Sequence, residues 1–221
     1  MGIEPKAVSG NDWLNNLIDE GYVRSDFAKA ALGGFSRAQF ETGKGAVPTP
    51  PVLAAKLLEL LEPQPGDHVL EIGAGAGWLA AVLGYSVCPP TPTGSAPLAC
   101  GCVLTLEENL SQMKIAKANL ESAGVPESLV RVVYRDGFFG YKKEAPYNKM
   151  VSCVSVPEIP ETWKEQLKVG GRLVVPVGDT LVVLEKTGKE AFKRQEFFGF
   201  RFPEMAMPKK DLSRLEATEE K

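Results

Sequence analysis

Apolar positions recur at helical spacing in three stretches near the N-terminus, residues 11–23, 25–35 and 49–63. The first stretch places four large apolar residues on one side of a helix: Trp13, Leu14, Leu17 and Ile18. Ser25 and Thr49 stand where the second and third helices begin, and both residue types are good N-caps. The two prolines after Thr49 fit the first turn of a helix. The pattern predicts three helices.

From residue 67 onwards, short apolar runs alternate with longer amphipathic stretches. The runs predict strands over residues 67–73, 102–107, 130–137, 147–155, 172–178, 180–186 and 190–202. The intervening stretches predict helices over residues 77–86, 108–124 and 160–171. We therefore expect an α/β fold, a seven-stranded and mainly parallel sheet with helices on both faces and an antiparallel strand at its C-terminal end.

The chain of 221 residues suits a single domain, which we place over residues 1–208. Within it, residues 1–48 form a predicted N-terminal helical cap. Residues 87–101 carry four prolines, so neither a helix nor a central strand fits there, and we interpret them as a tolerated insertion. Residues 209–221 are polar and lack a core face, which predicts a mobile tail.

Composition narrows the class of protein. Apolar residues make up 44% of the chain and the net charge is −3, so we expect no general attraction to nucleic acid or to anionic membranes. No apolar stretch approaches the roughly 20 residues of a membrane helix, and the first residues lack the apolar core of a signal peptide. The predicted protein is a cytoplasmic monomer.

The four cysteines do not predict a metal site. Cys100 and Cys102 form a C-x-C pair, and the single histidine, His68, lies at the start of a predicted strand. Zinc sites usually show two C-x-x-C pairs or a Cys/His cluster. We expect buried or loop thiols instead. Cys88 and Cys100 bracket the insertion and could form a disulfide, but a cytoplasmic location argues against it.

A glycine loop supplies the strongest chemical signal. Residues 69–84 read VLEIGAGAGWLAAVLG, so Gly73, Gly75 and Gly77 follow a predicted strand and open a helix. Such a loop lets a ligand approach bare backbone. The alternative is a tight turn between strand and helix that requires glycine for steric reasons alone. The nicotinamide fingerprint G-x-G-x-x-G/A does not fit, because it puts the indole of Trp78 where helix and strand must pack.

The spacing E-x-G-x-G-x-G from Glu71 to Gly77 instead resembles motif I of S-adenosylmethionine-dependent methyltransferases. Two further acidic residues fit that resemblance. Glu107 ends the next strand, where a carboxylate can accept both ribose hydroxyls of the cofactor, and Asp136 ends the third strand, where it can accept from an adenine amino group. An Asp-Gly turn is the plain alternative for Asp136.

A longer run resembles one family, the protein-L-isoaspartate O-methyltransferases. Residues 136–178 contain DG, then APY, a strand, PEIP, LKVGGRLV and PVG, in the order typical of that family. Residues 15–32, the FSRAQF segment and FFGFRFPEM resemble its N-terminal helices and final strand. The resemblance implies a Rossmann-like class I methyltransferase fold. It also implies methylation of the α-carboxylate of isoaspartyl residues in damaged proteins, which is a repair reaction with S-adenosyl-L-methionine as cofactor.

The resemblance also implies a set of site residues. The cofactor contacts carried over are Glu71, Gly73, Ala74, Gly75, Gly77, Glu107, Asp136 and Gly137. A substrate carboxylate is already ionised at neutral pH, since its pKa is near 4, and needs no general base. The lack of a histidine base therefore does not count against this reaction. Ser155, after the fourth predicted strand, is a candidate substrate contact.

One segment departs from the family pattern. The family carries G-x-G-x-T-I-S-x-P before its third helix, whereas this chain has Ala46, Val47 and Pro48 at the T-I-S positions. Both hydroxyls are lost. We expect Val47 and Pro48 still to line the substrate region and Thr49 to act as a substitute hydroxyl at the catalytic centre. Two alternatives remain open: a related methyltransferase with another carboxylate or small-molecule substrate, and a cofactor-binding protein with little catalysis.

Overall fold

A computed structural model describes residues 12–41, 43, 45–90 and 99–206 of the chain. The first part of the predicted helical cap, most of the insertion and the predicted tail at 209–221 lie outside the described residues. No helix in the described ranges is long and apolar enough to cross a membrane.

The N-terminal helices form as the apolar spacing predicts. They are α1 (Asp12–Asp19), α2 (Asp26–Gly33) and α3 (Pro51–Leu61), with a short 3-10 turn over Arg37–Phe40. Ser25 caps α2, because its side chain accepts a hydrogen bond from the Ala28 N–H. The predicted cap at Thr49 is wrong. The residue before α3 is Pro50, and no side chain caps this helix.

Seven strands form a single sheet, as predicted. They are β1 (His68–Ile72), β2 (Cys102–Glu107), β3 (Val130–Tyr134), β4 (Tyr147–Ser152), β5 (Leu167–Val177), β6 (Thr180–Lys186) and β7 (Phe192–Phe198). The strand order is β3-β2-β1-β4-β5-β6-β7. The first five strands are parallel to one another, and β6 is antiparallel to both β5 and β7. The strand that runs opposite to the five parallel strands is therefore β6. β7 is antiparallel to β6 and so runs in the same direction as the first five.

Three more helices connect the strands: α4 (Trp78–Val87), α5 (Leu110–Ser122) and α6 (Glu161–Gln166). The helix predicted over residues 160–171 is shorter than expected. It ends at Gln166 because Leu167 pairs with Tyr147 of β4 and starts β5. Cross-strand pairing outweighs the helical spacing of residues 167–171.

Each face of the sheet is covered by a separate apolar core. Residues alternate in direction along β1, so Val69 packs with α1–α5 while Leu70 and Ile72 pack on the opposite face. Trp78 and Trp163 are the largest buried side chains of the two cores. The two cores fix the sheet, and with it the position of the loops that leave its carboxyl edge.

The insertion is closed by a covalent link. Cys88 follows α4 and forms a disulfide with Cys100, with a Cα–Cα distance of 4.4 Å. The N–H of Gly101 donates to the carbonyl of Val87 beside it. The expectation of two free thiols here is wrong, whereas Cys102 and Cys153 are free. Folding brings the ends of the insertion together because α4 and β2 are neighbours in the core.

Candidate functional site

A cavity of about 590 Å³ lies at the carboxyl edge of the sheet. Residues that follow β1, β2, β3 and β4 form its floor, and residues 45–53 and 201–205 form its walls. Among the predicted site residues, the cavity is lined by Val47, Pro48, Thr49, Gly73, Gly75, Glu107, Asp136 and Gly137. Parallel sheets bind ligands at this edge, so the topology places a site where the sequence predicts one.

The glycine loop turns sharply after β1. Gly73 has φ +91° and Gly75 has φ +51°, which are backbone conformations that favour glycine. The N–H groups of Gly73 and Ala74 both donate to the carbonyl of Leu106, so the loop is tied to β2. A Cβ on Gly75 would lie 3.4 Å from the carbonyl oxygen of Val47. The absence of a side chain at Gly75 therefore leaves the space between the glycine loop and the wall at Val47 open.

Two other residues of the loop face the protein core. A Cβ on Gly77 would lie 3.2 Å from the carbonyl oxygen of Ala116 on α5, so this glycine serves the packing of α4 against α5. Ala74 is buried, and its carbonyl accepts from the Gly77 N–H. Neither residue lines the cavity. Their predicted contact with a cofactor stays a prediction.

Glu107 joins the glycine loop to the start of α5. Its Oε2 accepts from the Gly75 N–H at 3.1 Å, and its Oε1 accepts from the Asn109 N–H at 3.0 Å. Only 7% of the residue is exposed, so backbone donors hold the carboxylate at the cavity floor. Each oxygen has a second lone pair with which it can accept from a ligand hydroxyl.

Asp136 and Gly137 form the third part of the floor. The Oδ1 of Asp136 accepts from the Phe138 N–H at 2.9 Å, so the turn predicted as the plain alternative is present while the residue also lines the cavity. Gly137 is buried, and a Cβ there would lie 2.5 Å from Cγ2 of Ile72. Glycine is required at this position because the backbone of the turn lies so close to β1.

Glu71 lies beneath the cavity rather than in its lining. The residue is fully buried in β1, and burial raises the pKa of its carboxyl to about 8, with a smaller contribution from the nearby charge of Glu107. Cys153 and Thr105, which lie beside it, oppose that shift. Its Oε1 lies 3.8 Å from the Sγ of Cys153. Within the described ranges, no residue offers its Oε2 a hydrogen bond of ordinary geometry.

The segment with the missing hydroxyls forms one wall of the cavity. Ala46 and Pro48 are buried, while Val47 is 74% exposed at the rim. Arg37 holds the segment by its backbone, because its guanidinium donates to the carbonyl oxygens of Pro48 at 3.0 Å and Thr49 at 3.3 Å. The backbone of Thr49 is thereby fixed at the wall.

Thr49 lies close enough to Cys153 to affect its thiol. Burial and the neighbouring Glu71 carboxyl raise the pKa of the Cys153 thiol, while a hydrogen bond with the Thr49 side chain lowers it. Both side chains line the cavity. Because Thr49 does not cap α3, its hydroxyl is not engaged with the first turn of that helix. This is the position at which the sequence predicts a substitute hydroxyl.

Ser155 is placed away from the cavity. It is buried, its hydroxyl donates to the carbonyl of Gly178 at 3.3 Å, and its backbone pairs with Pro203 and Met205. It is absent from the lining residues. The geometry thus gives Ser155 an internal contact, and its predicted contact with substrate has no support from its orientation.

Several lining residues were missed from the sequence. They are Cys153 and Val154 after β4, Asn109 and Gln112 at the start of α5, and the wall residues from Arg201 to Met205. The position of Cys153 after a parallel strand was a usable signal. The wall after β7 gave no such signal, because its position at the cavity depends on tertiary pairing with segments distant in sequence, such as Ser155. In the described ranges, no three His, Cys, Asp or Glu side chains are grouped to hold a metal ion.

Comparison with known proteins decides the family. The family model described as protein-L-isoaspartate(D-aspartate) O-methyltransferase matches residues 9–202. This chain belongs to that family. The relative from Methanopyrus kandleri, a protein-L-isoaspartate O-methyltransferase, is 34% identical over 208 residues, which cover 86% of this chain and 87% of the relative.

Solved structures agree with the family and its fold. A protein-L-isoaspartate O-methyltransferase superposes with a TM-score of 0.74 and 26% identity, covering 89% of this chain and 66% of that one. A chain assigned to the same class from Plasmodium falciparum, in complex with S-adenosyl-L-homocysteine, has a TM-score of 0.74 at 16% identity, covering 87% and 96% of the two chains. The expected fold, a class I methyltransferase sheet, is confirmed.

Proposed function

We propose that this protein transfers a methyl group from S-adenosyl-L-methionine to the α-carboxylate of isoaspartyl residues in damaged proteins. The observation that carries the proposal is the link between Glu107 and Gly75 at the floor of the cavity. This link puts an acidic acceptor beside bare backbone at the carboxyl edge of the sheet, in a chain of the isoaspartyl methyltransferase family.

The residues present fit the cofactor. The cavity of about 590 Å³ is within the range of small-molecule sites, roughly 300–1,000 Å³. Glu107 would accept from the ribose hydroxyls with its remaining lone pairs, and Asp136 would accept from the adenine amino group. Gly73 and Gly75 would lie against the amino acid end, because no side chain there narrows the cavity.

The chemistry asks little of the protein beyond alignment. When bound, the cofactor supplies an electrophilic methyl group on a sulfonium. The protein must hold the substrate carboxylate in line with that group and exclude water. Apolar side chains supply the exclusion: Leu53, Ile72, Leu106, Phe202 and Met205 line the cavity. No general base is needed, since the carboxylate is ionised at neutral pH.

The substrate side of the proposal involves the wall segment. Thr49 would donate its hydroxyl to the isoaspartyl carboxylate, and Val47 at the rim would contact the peptide, with Pro48 packed behind them. Support comes from the exposure of Val47 and from the position of Thr49 in the lining. A hydrogen bond to a charged group contributes about 1.5–3 kcal/mol, so one hydroxyl partly replaces the two that are missing.

The test is a paired methylation assay. The protein is incubated with radiolabelled S-adenosyl-L-methionine and either an isoaspartyl peptide or the same peptide with a normal aspartyl residue. We expect label only in the isoaspartyl peptide. Label in neither peptide, with the cofactor bound as shown by calorimetry, would contradict the repair reaction and favour another carboxylate substrate or a protein with little catalysis.

Two further aspects belong to the same proposal. We expect the substrates to be proteins and peptides, with no nucleic acid or membrane partner, because the net charge is −3. The cytoplasmic location, against which the Cys88–Cys100 disulfide counts, and the monomeric state stay predictions. Light scattering during gel filtration tests the second, and a mass near twice 23.9 kDa would contradict it.

A further inference from the structure

The charge of the cavity raises a question about its substrate. Four acidic residues line it: Glu107, Glu108, Asp136 and Glu204. Among the described lining residues, Arg201 is the one with a positive charge. The substrate group of the proposed function is itself an anion, so the four carboxylates repel it while the guanidinium of Arg201 attracts it. The inference that follows rests on that proposed function.

Arg201 stands on a wall whose backbone is well anchored. The N–H groups of Gly199 and Phe200 donate to the carbonyl of Asp179, and Pro203 accepts from the Ser155 N–H at 2.7 Å. The neighbouring Phe202 is buried. The backbone of Arg201 is therefore fixed relative to the end of β4, while its side chain is 84% exposed at the rim.

The guanidinium is paired with one carboxylate outside the cavity. Its Nε and one terminal nitrogen lie 3.3 Å from the two oxygens of Asp179, which is the two-point geometry of an arginine–carboxylate pair. This pair raises the pKa of Arg201, so the group stays charged. The guanidinium carries further N–H donors for a second carboxylate.

We infer that Arg201 is the substrate-binding residue that recognises the α-carboxylate of the isoaspartyl residue. It supplies the hydrogen-bond donors that are missing at Ala46 and Pro48, while Thr49 orients the bound group from the wall formed by residues 45–53. Asp179 competes with the substrate for the guanidinium. One carboxylate oxygen binds Arg201, and the other is left for the methyl group.

The experiment compares two exposed arginines. Arg201→Gln removes the proposed contact, and Arg194→Gln is the matched control, because Arg194 is also exposed and paired with one carboxylate, Glu196, but lies outside the cavity lining. We expect KM for the isoaspartyl peptide to rise about 10-fold or more in Arg201→Gln only. The Kd of S-adenosyl-L-homocysteine and the melting temperature should match those of the control, and Arg201→Lys should recover part of the loss.

Two additional arms separate recognition of charge from a merely structural effect. An isoasparagine peptide, which carries an α-carboxamide, should bind the wild-type protein more weakly than the isoaspartyl peptide, and Arg201→Gln should lose most of that preference. Asp179→Asn should lower KM about two- to five-fold, because it removes the competing carboxylate.

Peptide binding to the protein loaded with S-adenosyl-L-homocysteine is measured in parallel. Equal peptide affinity in Arg201→Gln and Arg194→Gln overturns the inference and leaves the proposed function intact. A wild-type protein that binds the peptide through Arg201 but transfers no methyl group overturns the proposed function alone. A wild-type protein that does not bind the peptide overturns both.

Discussion

The Oε2 of Glu107 accepts a hydrogen bond from the backbone N–H of Gly75 at 3.1 Å, which joins the end of β2 to the loop after β1. Thirty-two residues separate the two along the chain, with the insertion between them. The same carboxylate holds Asn109 at the start of α5. One buried acidic group thus sets the positions of two of the loops that would contact a cofactor.

Replacement of Glu107 by glutamine tests that arrangement. The amide loses the negative charge and turns an N–H₂ group toward a backbone donor. We expect S-adenosyl-L-homocysteine to bind roughly 10- to 100-fold more weakly, which corresponds to the loss of about 1.5–3 kcal/mol from a charged hydrogen bond. Calorimetry measures the Kd, with the surface substitution Glu121→Gln as control. Equal affinities in both variants would refute the assignment.

Replacement of Thr49 by valine separates its two predicted functions. A lost N-cap would reduce stability by about 1 kcal/mol, whereas a lost cavity hydroxyl would reduce activity. Because Pro50 precedes α3 without a side-chain cap, we expect an unchanged melting temperature and a kcat/KM at least about 10-fold lower. Thermal unfolding and the isoaspartyl methylation assay provide the two readouts. A lower melting temperature with full activity would be the opposite result.

The pH dependence of the free energy of unfolding should reflect the ionisation of the Glu71 carboxyl. Its pKa in the folded protein, about 8, lies above its ordinary value of 4.5, so the folded state keeps a proton that unfolding releases. The contribution of Glu71 to the free energy of unfolding therefore falls as pH rises from about 4.5 to about 8, by roughly 1.4 kcal/mol per pH unit. Below this window the group makes no difference, and above it the loss stays constant.

Glu71→Gln is the matching variant, since it keeps the shape of the side chain and cannot ionise. Urea unfolding at several pH values between 5 and 8 should show the variant gaining stability over the wild type as pH rises. Glu121→Gln, on the surface of α5, should show no such trend. Parallel pH profiles for Glu71→Gln and the wild type would mean that Glu71 is ionised in the folded state.

Alanine at Gly137 should disturb the floor of the cavity. The added Cβ would lie 2.5 Å from Cγ2 of Ile72 inside the core, so either β1 or the turn at Asp136 must shift. We expect a loss of about 1–3 kcal/mol in the free energy of unfolding and weaker cofactor binding. Gly188→Ala is the control, because its Cβ would lie at an ordinary 3.4 Å from Ala191. Denaturant unfolding measures the free energy of unfolding of both variants. Equal losses in the two would show that the close approach of Gly137 to Ile72 does not matter.

The disulfide between Cys88 and Cys100 predicts a stability that depends on reduction. A closed loop of this length contributes about 3 kcal/mol in the chain-entropy account, which corresponds to a melting temperature roughly 6–12 °C higher. Reduction with a phosphine should remove that difference in the wild type and change nothing in a Cys88→Ala, Cys100→Ala double variant. Thiol titration should find two reactive thiols in the unfolded, oxidised chain, and four would contradict the pairing.

Local patterns of apolar residues predict most of the helices and strands. The apolar runs that became β1 to β7 and the helices α1 to α5 are recognisable because strand and helix periodicity depend on near neighbours alone. The end of α6 was predicted wrongly, because Leu167 is drawn into β5 by a partner strand that is distant in sequence. A local sequence pattern cannot predict a helix boundary that is set by pairing between distant strands.

The sequence by itself determined where the glycine loop, Glu107 and Asp136 would meet, since residues that end neighbouring parallel strands must share one edge of the sheet. Only the tertiary structure decided that Gly77 packs on α5, that Glu71 is buried beneath the floor, and that Arg201 reaches the rim. The physical reason is that burial and charge pairing depend on which distant segments pack together, and spacing along the chain does not encode those contacts.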